Sequence, residues 1–276
     1  MTDSAAAAAR AASFLDLHRP GSPLLMPNAW DAGAARVLAA LGFAALATTS
    51  SGFAATLGRQ DGSISADEAL ANAAAIVAAT EVPVSADLEN CYADAPGDVA
   101  QTVTRAAGTG LAGVSIEDYS RHDDHPIYDP ALAAERVAAA AHAAHGGTVR
   151  VVLTARAENY LHGRPDLADT IARLQSFQEA GADVLYAPGL RSADDIRAVV
   201  SSVDRPVNVL AWAGGPSVAE LAELGAGRIS VGGALAFAAL GALAAAGREM
   251  LESGTFGYGP QLAAGRDIVA QAFPAS

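Results

Sequence analysis

The sequence predicts a (β/α)8 TIM barrel, on three observations. Eight short apolar runs alternate with helix-like stretches rich in Ala, Leu and Glu. The runs are continuously apolar rather than alternating, as parallel strands are when both faces are covered. Several runs are entered alike, a glycine closing the preceding helix, as at Leu41-Gly42-Phe43 and Ala180-Gly181-Ala182. Eight such units within 276 residues fit a barrel. The main rival is a doubly wound open sheet, and no Gly-x-Gly-x-x-Gly follows the first run to support it.

The elements follow in chain order. An alanine-rich helix ends near His18, stopped by Arg19-Pro20-Gly21. The strand runs are 23–26, 44–47, 82–86, 113–116, 149–155, 182–185, 206–210 and 228–231. Helices are expected over 31–41, 66–80, 96–108, 130–145, 166–180 and 217–224. The stretch 234–253 is too apolar for an open surface and should pack on the barrel or on another subunit. With no Pro-, Gly- or Ser-rich linker, residues 1–276 read as one barrel domain. It carries a helical segment at each end, 1–22 and 234–276.

Composition excludes several functions. The chain is 51% hydrophobic and 17% charged, so a packed core is expected rather than disorder. A net charge of −13 argues against nucleic acid and against an anionic membrane surface. There is no lysine, which removes Schiff-base catalysis and the P-loop. One cysteine, Cys91, excludes an internal disulfide and suggests a reducing compartment. With no basic n-region before the first alanines and no evident membrane span, a cytoplasmic location is expected.

The polar residues fall where a barrel places its chemistry, after the strands. These positions carry Thr48 to Ser51, Asp87 and Glu89, Glu117 and Asp118, and Arg156 and Glu158. On a continuing strand Asp87 and Glu89 would face the same way, with Glu117 one strand later. Such carboxylates repel unless a cation lies between them, and hard oxygen donors favour Mg²⁺ or Mn²⁺. Helix capping or pairing with arginines is the alternative for each acid. The turn 48–52 could form an anion nest, and Arg156 could grip a carboxylate or phosphonate or else pair with the acids. The polar segment 119–130 is long enough for a lid and contains His122 and His125. An ordinary surface loop is the alternative.

These residues resemble the isocitrate lyase/phosphoenolpyruvate mutase superfamily over nearly the whole chain. The matching segments are Met26-Pro27-Asn28-Ala29-Trp30-Asp31 and Ser50-Ser51-Gly52-Phe53-Ala54 through Leu57-Gly58 to Asp61. Next come Pro83-Val84-Ser85-Ala86-Asp87-Leu88-Glu89 with Tyr92, and Gly113-Val114-Ser115-Ile116-Glu117-Asp118. Ala155-Arg156-Ala157-Glu158 and Gly181-Ala182-Asp183 complete the set. The resemblance implies a barrel whose eighth helix is swapped between partners of a homo-oligomer, a dimer or tetramer. It implies Mg²⁺ held by Asp87 directly and by Glu89 and Glu117, with Mn²⁺ as the other candidate ion. A small carboxylic acid would be cradled by Thr49, Ser50 and Ser51 and gripped by Arg156, beside Asp87. Asp61 would lie near the reacting centre.

Departures from the family pattern narrow the chemistry. The loop after the fourth strand lacks the Lys-Lys-Cys-Gly-His of isocitrate and methylisocitrate lyases, so those activities are not expected. Glu117-Asp118-Tyr119 replaces the Glu-Asp-Lys of the phosphonate enzymes. Tyr186 stands where relatives often carry His or Glu, and Cys91 where they carry glycine. Cys91 is expected to pack as a small hydrophobe. The expected function is Mg²⁺-dependent cleavage of a C–C bond beside the carbonyl of a small 2-oxo or 2-hydroxy acid, through an enolate. Oxaloacetate-type decarboxylation suits it, with the final proton from Tyr119, His122, His125 or Tyr186. A phosphonate mutase or P–C hydrolase and a non-catalytic acid-binding barrel are the alternatives.

Overall fold

The computed structural model describes residues 3–273; residues 1–2 and 274–276 of the two predicted terminal segments lie outside the described residues. The first apolar run forms β1 (Leu24–Met26), and a further short strand, β2 (Asn28–Ala29), follows just beyond it, the two separated because Pro27 has no N–H to give a neighbour. The other seven runs each form one strand. They are β3 (Leu46–Thr48), β4 (Val84–Ala86), β5 (Gly113–Glu117), β6 (Val152–Arg156), β7 (Val184–Tyr186), β8 (Val207–Leu210) and β9 (Arg228–Ser230). All pairs are parallel, in the order β1-β9-β8-β7-β6-β5-β4-β3-β2. Since β1 runs into β2, the two ends of this order meet and the barrel closes, as the sequence predicts.

Asn28 makes the seam. Its Nδ2 donates to the Thr48 carbonyl at 2.8 Å, and its Oδ1 accepts from the amides of Val231 and Gly232 at 3.1 and 2.9 Å. One side chain thus ties the first strand segment to both neighbours at the C-terminal rim.

The helices are α1 (Asp3–Asp16), α2 (Ala32–Ala40), α3 (Ser50–Thr56), α4 (Ala66–Ala79), α5 (Pro96–Ala107) and α6 (Pro130–Gly146). Then follow α7 (Leu167–Glu179), α8 (Ala193–Ser201), α9 (Val218–Glu223), α10 (Ala234–Glu252) and α11 (Gly259–Ala272). Local chemistry sets their starts. Asp31 caps α2, and Ser65 with Glu68 and Ser217 with Glu220 form capping boxes for α4 and α9. The helices α3 and α8 go beyond the predicted set, and α10 and α11 fall within the helical segment expected over 234–276.

Helix α1 seals the N-terminal end of the barrel. Ala11 and Phe14 are buried against Leu24, Met26, Ala45, Ala112, Val152 and Val184. Gly113 lets Phe14 approach, since a Cβ there would lie 2.8 Å from Phe14 Cε1 and 3.1 Å from the Val152 carbonyl. Gly113→Ala is therefore expected to cost about 1–3 kcal/mol by overpacking. Urea unfolding would show a lower midpoint with an unchanged slope; an unchanged midpoint would mean that α1 is loosely seated.

At the other end, α10 and α11 are exposed. Leu243 and Leu251 stand in solvent, Leu251 at 89% exposure, and Ala236 is the single buried residue of α10. Among the described residues little of α10 is covered by this chain, which leaves packing on another subunit as the open one of the two expected alternatives. By length and composition α10 is also apolar enough to cross a membrane, which the sequence reading did not anticipate.

Candidate active site

A cavity of about 650 Å³ opens at the C-terminal ends of the strands. Its lining includes Thr49, Ser50, Ser51, Asp61, Asp87, Glu89, Glu117, Arg156 and Tyr186, so the structure brings the expected site residues to one place. In-register pairing sets Glu117, Arg156, Tyr186, Asn208 and Arg228 side by side across β5 to β9.

Arg156 stands at the centre. Its Nη1 lies 3.2 Å from Asp87 Oδ1 and 2.8 Å from Glu117 Oε1, while its Nε donates to Glu158 Oε1 at 2.7 Å. Burial opposes its charge, but Glu117, Glu158 and Asp87 outweigh burial and hold the guanidinium protonated well above its ordinary range. Burial, against the pull of Arg156, raises the carboxyls of Glu117 and Glu158. Glu158 is itself located by a buried chain: its amide donates to Asp118 at 2.7 Å, and Asp118 accepts from Arg173 at 3.1 Å. Asp118, adjacent to Glu117, leaves the cavity for the helix interface, where burial raises it to about 7.

Asp87 also accepts from the Ser50 amide at 3.1 Å, and its own amide donates to Thr48 Oγ1 at 2.9 Å. The flexible turn expected at 48–52 is the start of α3, with Thr49 as N-cap and Ser50 in the first helical position. Asp61 lies exposed at the mouth and accepts from the neighbouring Gly62 amide.

The strand argument for Glu89 does not hold. β4 ends at Ala86, and Glu89, Cys91 and Tyr92 take left-handed φ of 51°, 60° and 57°. Glu89 reaches the cavity through a tight turn. Arg136, buried under this turn, braces it by donating to the carbonyls of Asn90, Ala93 and Asp94 and to that of Glu117. Glu89 pairs with Arg121 of the following loop. Cys91 is fully buried and burial lifts its thiol to about 12, so it packs as expected and stays protonated.

The loop 119–130 is pinned by an antiparallel bridge between Tyr119 and Ile127. Tyr119 and Arg121 enter the cavity lining, whereas His122 lies against Asp94 and His125 beside Asp124 on the exposed side. Neither histidine lines the cavity, which corrects both as proton donors. Sequence reasoning missed His162, whose ring stacks on Tyr119 with centroids 3.6 Å apart. Burial and Arg156 lower its pKa, keeping it neutral near pH 7. It also missed Arg121 and Arg228. The available signal for His162 was its place in the loop after the strand that bears Arg156. Tyr186 lies beneath the Arg156 guanidinium, 4.9 Å from ring centroid to Cζ, and burial raises its hydroxyl to about 12.

The donor set fits a hard divalent cation by chemistry more than by present geometry. Five carboxylates, of Asp61, Asp87, Glu89, Glu117 and Glu158, share the upper wall with two guanidiniums, of Arg121 and Arg156. That surplus of negative charge calls for a cation, and every acidic donor is oxygen. Arg156 nevertheless occupies the space between Asp87 and Glu117. Among the described residues no three His, Cys, Asp or Glu side chains converge as a ligand set.

The chain is similar to known proteins over most of its length. The family model for phosphoenolpyruvate phosphomutase matches residues 14–251. A crystal structure of a candidate lyase/mutase from Burkholderia cenocepacia J2315 is 51% identical, covers 99% of this chain and 98% of that one, and superposes with a TM-score of 0.94. An uncharacterized protein of Mycobacterium tuberculosis is 35% identical over 239 residues, 86% of this chain and 88% of its own length. The structure of 2,3-dimethylmalate lyase, a PEP mutase/isocitrate lyase superfamily member, is 27% identical with a TM-score of 0.82, covering 95% of this chain and 94% of that one.

Proposed function

The chain belongs to the phosphoenolpyruvate phosphomutase family, and from that premise we propose that it is an Mg²⁺-dependent lyase of a small 2-oxo or 2-hydroxy acid. It breaks a C–C bond whose electron pair the neighbouring carbonyl can accept, as in decarboxylation of an oxaloacetate-like acid, where the bond from the carbon next to the carbonyl to the departing carboxylate breaks. The observation that carries this reading is the acid-rich upper wall built around one fixed guanidinium, Arg156. Asp87, Glu89 and Glu117 would hold the ion, with Mn²⁺ as a substitute. The bound ion would supply an electron sink for the negative charge that develops on the substrate oxygen.

The chain's own residues do the rest. Glu158 fixes Arg156, and Arg156 with the amide-rich start of α3 at Thr49, Ser50 and Ser51 orients the acid end. When carbon dioxide leaves, the bonding pair stays on the substrate as an enolate. Tyr186 Oη, protonated up to about 12, then donates its proton to the enolate carbon, and water restores it. Tyr119 stacked on neutral His162 walls off the mouth, and Asp61 borders it.

The test is a panel of 2-oxo and 2-hydroxy acids assayed for pyruvate or related oxo acid, with and without Mg²⁺. Metal-dependent release from a carboxylic acid supports the proposal. Turnover of phosphonopyruvate alone would transfer the site to P–C chemistry, the second reading, which the phosphomutase family match favours. Metal binding with no turnover in either set would leave an acid-binding barrel.

We further propose that a second copy of this chain covers the exposed leucines of α10, in a homo-oligomer. Leu243→Glu is expected to move the protein to a smaller species in light scattering, since it places a charge in an apolar contact. An unchanged mass would place the interface elsewhere.

A further inference from the structure

The upper inward positions of the barrel are small: Ala47, Ser85 and Ser115 line the cavity where larger apolar residues ordinarily fill the interior. The space they leave runs down to Arg228, at the start of β9. This arginine is 4% exposed, and its identified side-chain partners are all neutral. Its Nε donates to Asn208 Oδ1 at 2.8 Å. Its Nη1 donates to Thr154 Oγ1 at 3.1 Å and lies 3.3 Å from His18 Nε2. His18 is neutral because burial and Arg228 lower it to about 3, and its Nδ1 sits 2.8 Å from the Phe14 carbonyl. Among the described residues no carboxylate pairs with Arg228.

A buried cation without a counter-charge is costly unless an anion is delivered to it. Burial brings its pKa to about 10, Tyr186 opposing and Arg156 adding to the fall, so it remains charged at neutral pH. We propose that Arg228 forms an anion subsite on the cavity floor and binds a second acidic group of the substrate, so that the enzyme selects doubly acidic molecules over monoacids. Asn208, which accepts from Arg228 and donates to Ser230 at 2.9 Å, sets the plane of the guanidinium. The shared chemistry of the bound group is an oxyanion, either carboxylate or phosphonate. This rests on the proposed function for the place of the first acid end, at Arg156.

Lactate, malate and 2-hydroxy-3-phosphonopropanoate share the 2-hydroxy acid end and differ at C3 in carrying hydrogen, carboxylate or phosphonate. Calorimetric titration with Mg²⁺ present is expected to show malate binding about 10-fold or more tighter than lactate, the scale of a charge-assisted contact. The phosphonate arm shows which oxyanion the floor prefers. Arg228→Gln should abolish the difference while leaving lactate affinity unchanged, and Arg228→Lys should retain part of it. If Arg228 only anchors α1 through His18, the variants unfold at lower urea and malate stays favoured in Arg228→Gln. That result overturns the proposal. Equal malate and lactate affinity in the unaltered protein, or no binding of either, overturns it without any variant. Discrimination without product release would sink the proposed reaction and leave the subsite standing; the converse would do the opposite.

Discussion

Asp87→Ala is expected to lower kcat/KM by about 10³-fold or more, the scale seen when a preorganised electrostatic contact to a developing charge is removed. Asp87 joins three elements: it takes the Ser50 amide of α3, contacts Arg156 of β6 and continues from β4. Its loss frees Arg156 and leaves the upper wall with one carboxylate fewer for the proposed cation. The side chain is partly exposed, so the fold should tolerate the change. Asp87→Asn can still accept from Ser50 but carries no charge, and it should be as inactive as the alanine variant. Activity within 10-fold of the unaltered enzyme, with Mg²⁺ affinity preserved in titration, would remove Asp87 from the proposed metal site.

Arg156→Met should be the most destabilising single change in the cavity, by about 3–5 kcal/mol at pH 8 without metal, because it strands Glu117 and Glu158 as unpaired buried carboxylates. The pH dependence has a defined sign. Both folded-state carboxyls are already raised above their ordinary values by burial, with Arg156 restraining the rise. A raised acid favours the native state only below its unfolded pKa, and that benefit fades as pH climbs through the folded value. Removing Arg156 raises both further, so the variant should lose most at alkaline pH and recover part of the deficit toward pH 5. Urea midpoints at pH 5 and pH 8 in chelator would check this. An equal deficit at both pH values would show that packing, and not charge, is what Arg156 supplies.

The barrel was legible because its evidence is local. Each parallel strand reads as an apolar run, and glycines such as Gly42 and Gly181, at φ of 94° and 107°, mark helix ends where a left-handed residue is needed. Seven strands and most helix starts follow from such signals. The first run stops short of β2, which resumes after Pro27 breaks the ladder and which the run's composition does not reveal. Short α3 was hidden in a Thr-Ser-Ser-Gly stretch that reads equally as a turn.

Barrel order alone could bring Asp87, Glu117, Arg156 and Tyr186 to one rim, since every strand end in a closed parallel sheet faces the same way. Chain order could not reveal their partners. That Arg156 stands among three acids, that Glu89 arrives by a left-handed turn, and that His122 and His125 face away all depend on loop paths set by distant contacts. The Arg136 brace beneath the Glu89 turn is one such contact. Arg228 is the sharpest case. Its position at the start of an apolar run was plain from the beginning, but an arginine there could equally face solvent. Its burial beside Asn208 and His18, 20 and 210 residues away, exists only once the barrel has closed. Periodicity records which face of an element is apolar, whereas the meeting of charges across a closed sheet depends on register and shear, which no local run encodes.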